Sequence, residues 1–366
     1  MGKHRLHDIR LLQWVRSIYR ERKIWASERS RFLEEAKVKE QQGLFTHGNL
    51  NDYIQALDRH RVTFQEYMLS YEYWDIDEKK RSEFISKSQM QCIYRKMVEP
   101  EVRKMFGNKV EFLKTYAPFV QRRWLVADEA SPEQFRDMVT TVDCIVKPQS
   151  GTCGVGIFKT TSSELGDWKQ LYETCAKEHM LVEECVRECH ELEEFNPSSL
   201  NTIRVVTISY KDKCEFLGAL FRMGTRGNFV DNTHAGGIFA PINVENGTIE
   251  RDGMDSHRNL YPVHPDSGKQ IKGFVIPQWD EIVSQCRKAA CHVPGIIFAG
   301  WDICVLPSGK VEFIEGNHAP DVDLGLQAPL KKGIKRDVQR LVNQVAGVDP
   351  LSFIPIASRT YNSRLW

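Results

Sequence analysis

The sequence has no CxxC pair, although ten cysteines are scattered through its 366 residues. That excludes a zinc ribbon and a thioredoxin-type redox motif. An excess of one charge is also missing: 50 Lys and Arg stand against 49 Asp and Glu, a net charge of +1. Such a balance gives no reason to expect nucleic acid or a strongly acidic partner. No apolar run has signal-peptide length at the N-terminus, and none approaches a membrane span. Repeats, low-complexity tracts and Pro/Gly/Ser-rich linkers are absent, which argues against a solenoid or a sharply jointed chain. What remains is globular composition, 41% hydrophobic and 10% aromatic, with length enough for about two to three packed lobes. Cysteines inside apolar runs such as "DCIVKP" and "GWDICVL" read as buried thiols in a reducing cytoplasm.

Residues 1–100 read as a charged helical region. "DIRLLQWVRSIYRERKIW" puts Ile9, Leu12, Val15, Ile18 and Tyr19 near one helical face and Arg10, Arg16, Arg20 and Arg22 on others. A basic amphipathic helix can lie on an anionic membrane; a helix packed on its own domain is favoured, because basic residues on a solvated face are common. From about residue 100 short strands and helices interleave. "RKMFGNKVEFLKTYAP" reads as one helix and "RRWLVA" as a strand. "SPEQFRDMVT" reads as a helix with Ser131 at its N-cap and Pro132 at its first position. "CIVKP", "GIFKT" and "HMLVEEC" read as strands. "TSSELGDWKQLYETCAKE" reads as a helix opened by a Thr161/Glu164 capping box. Longer strands follow in "NTIRVVTISY", "CEFLGALFRMG" and "GGIFAPINV", with a further strand after "ENGT". "PQWDEIVSQCRKAAC" and "LKKGIKRDVQRLVNQV" read as helices, and "IIFAGWDICVL", "PSGK" and "VEFIEGN" as a hairpin. Hairpins and helices in this order predict an α+β fold with antiparallel sheets rather than a doubly wound parallel sheet.

The stretch "CIVKPQSGTCGVGIFK" has a lysine and then Gly151, Gly154 and Gly156. A Walker loop needs lysine and a hydroxyl directly after its last glycine, and here Ile157 and Phe158 follow. A dinucleotide fingerprint opens a helix; this loop opens a strand. Strand, Gly-rich turn, strand describes a hairpin able to fold over phosphates, with Lys147 supplying a point charge. The plainer alternative is a surface hairpin with a solvated lysine. A second feature weighs against it. In "GWDICVLPSGKVEFIEGN" a short turn sets Asp302 beside Glu315 and Asn317, which lie two apart and share a sheet face. Three hard oxygen donors suit Mg²⁺ shared with phosphate oxygens, and carboxylates inside apolar strands are costly unless paired. The third feature, "HMLVEECV", ends an apolar strand in Glu183 and Glu184, as an inter-lobe hinge would.

Together "IVKPQSGTCGVGI", "LVEECV" and "GWDICVLPSGKVEFIEGN" resemble the ATP-grasp superfamily. The match is nearest its sugar-transfer-associated branch, through "NTIRVVT", "GALFRMG" and "VDNTHAGG", and covers roughly residues 100–330. The resemblance implies ATP held between two α+β lobes, an N-lobe at 101–185 and a C-lobe at 186–346; the helical region at 1–100 and a tail at 347–366 flank them. It makes Lys109 and Lys147 the ATP lysines, Glu183 through Glu184 to the backbone of Val186 the adenine hinge, His190 or Glu191 the ribose contact, and Asp302, Glu315 and Asn317 the Mg²⁺ ligands. In one respect the chain departs from the pattern. Many members carry an arginine two residues before the metal aspartate, where this chain has Gly300. Arg204 and Arg222 are the candidates to steady the transferred phosphoryl instead. His234, in the loop that also holds Asp231 and Asn232, is a candidate base or acceptor contact, against the plainer reading of an ordinary turn.

The activity implied is ATP- and Mg²⁺-dependent joining of a carboxylate to an amine through an acyl phosphate. The branch's name points to a sugar or uronic acid of a surface polysaccharide. The expected partners are thus a small or sugar-linked carboxylate and an amine. An ATP-dependent phosphotransferase acting on a hydroxyl would use the same machinery. A nucleotide-binding scaffold without catalysis would not need Lys147, Asp302, Glu315 and Asn317 together.

Overall fold

A computed structural model describes residues 2–151, 156–225, 236–295 and 297–354, with side chains from residue 19 onward apart from Leu324. The chain divides into two compact units, residues 1–97 with 321–366, and residues 98–320. Residues 321–346, expected in the C-lobe, group instead with the N-terminal helices.

The first unit opens with α1 (Gly2–Gln41), α2 (Leu50–His60), α3 (Glu78–Arg81) and α4 (Lys87–Met97). The helix expected around residues 8–25 is thus part of a 40-residue one. Asn49 caps α2 by accepting from the Asp52 amide, which satisfies one orphan donor of the first turn. The core gathers Phe32 and Ala36 of α1, Tyr53 and Leu57 of α2, and Tyr67, Tyr71, Tyr73 and Phe84 from the connections. Buried tyrosines need partners for their hydroxyls: Tyr67 donates to Asp52 at 2.7 Å and Tyr73 to the Arg81 carbonyl at 2.9 Å.

The second unit carries α5 (Pro100–Gly107), α6 (Lys109–Thr115), β1 (Trp124–Val126), α7 (Pro132–Thr141), β2 (Cys144–Pro148), β3 (Phe158–Thr160), α8 (Trp168–Lys177), β4 (Met180–Glu184), α9 (His190–Glu193), β5 (Thr202–Tyr210), β6 (Lys213–Met223), β7 (Ile238–Ile242), β8 (Gly253–Met254), β9 (Leu260–Tyr261), α10 (Trp279–His292), β10 (Phe298–Val305) and β11 (Val311–Asn317). The chain then returns to the first unit with α11 (Lys335–Ala346). The α+β class with antiparallel sheets holds. A four-stranded sheet runs β1-β4-β2-β3 and a seven-stranded one β11-β10-β5-β6-β7-β8-β9, antiparallel at every pairing.

Three local expectations need correction. The single helix over "RKMFGNKVEFLKTYAP" is two, because the Asn108 side chain accepts from the Val110 and Glu111 amides and starts a new helix. The Thr161/Glu164 capping box does not form. Those residues make a turn, and after Gly166 the stronger cap is Asp167, which accepts from Lys169 and Gln170. The strand after "ENGT" is only a pair of isolated bridges at Thr248 and Ile249. The Ser131 cap is present as a full capping box with Gln134. No helix among the described residues is long and apolar enough to cross a membrane.

Strand alternation decides which side chains meet. In the four-stranded sheet Cys144, Val146, Met180 and Val182 join Phe135, Met138, Val139 and Cys175 in a core under α7 and α8. Alternation therefore turns Lys147, Leu181 and Glu183 to the other face.

Candidate functional site

Register assembles a charged row on the seven-stranded sheet. Asp302 lies opposite Glu315 on β11 and opposite Arg204 on β5, and Thr202 of β5 lies opposite Arg222 of β6. Residues opposite one another share a face, so Arg222, Arg204, Asp302 and Glu315 line up across four strands. Arg204 holds Asp302 in a fork, Nε to Oδ1 and Nη2 to Oδ2 at 2.7 Å. Arg222 reaches the same Oδ2 at 3.0 Å while its Nε donates to Thr202 Oγ1, also at 3.0 Å. Burial would raise the Asp302 pKa, but the two guanidinium groups outweigh it and hold the carboxylate below its ordinary range.

The row needs an irregularity in β11. Strict alternation would give Phe313 and Glu315 one face. The register shifts between Asp302 and Ile303, whose partners are Glu315 and Phe313, leaving Ile314 as the extra residue of a bulge. Phe313 can then pack on Trp301, at 5.6 Å between ring centroids, while Glu315 faces Asp302. Bulges beside functional sites commonly re-aim a side chain in this way. Glu315 is half-buried, and among the described residues its carboxylate has no hydrogen-bond or ion-pair partner. Burial, and then the Asp302 charge, push its pKa up.

Gly300 explains the departure noted in the sequence. A Cβ there would lie 2.8 Å from Pro320 Cβ and 3.3 Å from Arg204 Cδ. The Arg204 side chain crosses the space above residue 300, so the guanidinium beside the aspartate comes from the neighbouring strand.

On the four-stranded sheet Lys147 is buried and its Nζ pairs with Glu183 Oε2. Burial would raise Glu183, but Arg122 and Lys147 together hold it down at about 2. The Glu183 side chain is therefore engaged by cations, and its strand pairs with both β1 and β2. Glu184 pairs with Arg123 at 3.6 Å, and Val186 makes no hydrogen bond with any described residue. Lys109 begins α6; its amide donates to the Gln149 carbonyl at 2.8 Å and its Nζ to the Gly151 carbonyl at 2.9 Å, tethering the start of the glycine loop twice. Burial lowers the Lys109 pKa, with Glu315 opposing and Lys147 adding to the shift. Gly151 and Gly156 take φ of +117° and +74°, values that favour glycine.

His190 is exposed and lies 3.7 Å from Glu194. Glu191 is exposed too, its pKa lowered by its own amide and by Cys189. With Glu193, Asn196 and Asp266, His190 lines an open depression of about 830 Å³ whose lining includes neither Lys147 nor Asp302. Asn317 Oδ1 accepts the Ala319 amide at 2.9 Å. Gly154 and His234, with Asp231 and Asn232, lie outside the described residues.

Sequence reasoning missed Arg122 and Glu312. Both are buried, and Arg122 pairs with Glu183 and Glu312 at once. Only an acid within the apolar run "KVEFIE" hinted at it, and its partner lies 190 residues away.

Two antiparallel sheets, one presenting a buried lysine beside a glycine loop and the other a carboxylate hairpin, make this an ATP-grasp fold. A model of the sugar-transfer-associated ATP-grasp family matches residues 89–343, and the chain belongs to that family. Among solved structures it is similar to the ATP-grasp ligase PsnB complexed with a minimal precursor, at 19% identity, 62% of this chain, 56% of that one and a TM-score of 0.38. PsnB with a phosphomimetic precursor variant, Mg and ADP gives 17%, 68%, 61% and 0.41. The biotin carboxylase domain of Hydrogenobacter thermophilus 2-oxoglutarate carboxylase, with MgADP and bicarbonate, gives 15%, 71%, 47% and 0.40. The chain thus spans about half to three fifths of the solved chains' lengths. No curated protein matches it.

Proposed function

We propose that this chain is an ATP- and Mg²⁺-dependent carboxylate–amine ligase acting through an acyl phosphate on a sugar or uronic acid of a surface polysaccharide. The observation that carries the reading is the charged row Arg222–Arg204–Asp302–Glu315, in the same unit as Lys147 and Lys109. Cations and unsatisfied carboxylate oxygen on one face suit a phosphoryl group in transfer, where the protein's share is positioning and electrostatics.

The donor set fits a hard divalent cation: Asp302 and Glu315 face each other, Glu315 lacks a partner among the described residues, and Asn317 offers a third oxygen. Among the described residues no three His, Cys, Asp or Glu side chains converge, so the set depends on that amide. Mg²⁺ bound here would neutralise phosphate charge. Lys147 and Lys109 would hold the nucleotide's phosphates, with Lys147 exchanging Glu183 for a phosphate oxygen. Arg204 and Arg222 would bind the equatorial oxygens of the γ-phosphoryl. The carboxylate oxygen attacks phosphorus and ADP leaves; the amine then attacks the acyl carbon, loses a proton and expels phosphate. The backbone of Glu184–Val186 would read adenine, His190 or Glu191 would take the ribose hydroxyls, and His234 would take the amine's proton.

Incubation with ATP, Mg²⁺, uronic acids and candidate amines tests this. An amide formed with stoichiometric ADP and phosphate is expected. A phosphorylated sugar without free phosphate would replace the ligase by a kinase. Product formation unchanged in Glu315→Ala would remove the metal assignment.

A further inference from the structure

Arg122 sits between the two sheets of the second unit, on the segment leading into β1. Its Nη1 donates to Glu312 and, at 2.7 Å, to the Phe313 carbonyl. Its Nη2 donates to Glu183 at 2.8 Å and to the Ile314 carbonyl at 3.0 Å. The second Glu312 oxygen accepts the Gln121 amide at 2.6 Å, and the second Glu183 oxygen pairs with Lys147. Carboxylate and cation therefore alternate from β11 to β2 as Glu312, Arg122, Glu183 and Lys147. All four are buried, and the chain is neutral as a set, which offsets a desolvation cost that would be severe for any one alone.

The two carbonyls are informative. Phe313 and Ile314 are the bulge residues of β11, where an extra residue leaves the ladder locally unpaired. Buried carbonyls need donors, and one planar guanidinium supplies both while its remaining reach goes to the carboxylates on either side. A lysine, with a single charge centre on a flexible stem, cannot reproduce that fork.

We infer that Arg122 is a positioning residue coupling the phosphate lysine to the metal hairpin. It fixes the bulge that turns Glu315 toward Asp302, and it holds the Glu183 that orients Lys147. The inference rests on the proposed roles of Lys147 and Glu315. It goes beyond them by giving one residue, expected to touch neither nucleotide nor metal, control over both.

Two measurements on Arg122→Lys and Arg122→Met test it. Without nucleotide, amide hydrogen exchange in segments 311–317 and 180–184 should rise together by about tenfold or more, with β5 and β6 unchanged. Unchanged exchange at 311–317, or a uniform rise across the whole unit, overturns the inference. With nucleotide, Mg·ADP titrations of Arg122→Lys, Glu315→Gln and the double variant form a cycle. Each single change should weaken binding by about tenfold, and the double should be little worse than the weaker single. Fully additive losses overturn the coupling. A wild-type protein that binds no Mg·ADP sinks the nucleotide reading and the positioning role together, and is recognised by that result alone. Should both Arg122 variants fail to fold, Glu312→Gln is read in the same exchange assay with the same criteria.

Discussion

Replacing Glu183 by glutamine keeps the shape of the buried chain and deletes one charge between two cations. The folded carboxyl titrates at about 2 against an ordinary 4.5. A difference of that size corresponds to about 3 kcal/mol. The pKa is depressed on folding, so the stabilisation is present in full above pH 4.5 and is lost as pH falls toward 2. Glu312 and Glu315 work in the opposite sense, since burial raises both and favours the folded state on acidification. Comparing wild type with Glu183→Gln removes those shared contributions. Urea unfolding followed by tryptophan fluorescence at neutral pH should show the variant about 3–5 kcal/mol less stable, because Arg122 and Lys147 are left facing a neutral amide. Repeated at successively lower pH, the gap between the two proteins should narrow. A gap below about 1 kcal/mol at neutral pH, typical of an exposed pair, refutes the buried-chain argument. So does a gap that does not move with pH.

Other outcomes follow from single contacts. Lys147→Met should weaken ADP binding by about 30-fold or more, as loss of one charge-assisted contact worth ~2 kcal/mol requires; calorimetric titration checks this. Arg204→Ala leaves Asp302 with Arg222 alone, so ATP turnover should fall by about two orders of magnitude with little change in ADP affinity, read as a kcat loss at constant KM for ATP. Gly300→Ala forces a Cβ against Pro320 and Arg204 and should cost about 1–3 kcal/mol, measured by denaturant unfolding. Ser131→Ala removes the α7 capping box and should cost about 1 kcal/mol, visible as a lower melting temperature without loss of ADP binding.

The strands that carry the site were legible because their signals are local. "CIVKP" and "VEFIEGN" match β2 and β11 residue for residue, and the pairing of Asp302 with Glu315 follows from a hairpin with a short turn. Helix starts were less secure. Thr161/Glu164 and Asp167 are competing caps, and which wins depends on where Leu171 and Cys175 must sit to reach the sheet core. The arginine pairing of Asp302 could be anticipated only as arginines on neighbouring strands, since a 98-residue separation hides the register. The bulge at Ile314 leaves no mark in composition. It exists because Phe313 must join Trp301 in the core while Glu315 keeps its place opposite Asp302.

β11 is an edge strand of the seven-stranded sheet. An open edge offers unpaired backbone groups to any passing strand, and proteins blunt such edges with charge and bulges. Here one guanidinium caps the carbonyls of Phe313 and Ile314 at the point where the strand is already irregular. The outer rim of the β10–β11 hairpin is thus closed to strand addition by the same side chain that sets its geometry. Loss of Arg122 would expose a template as well as misplace a carboxylate, and such variants should self-associate at concentrations where the wild type stays dispersed.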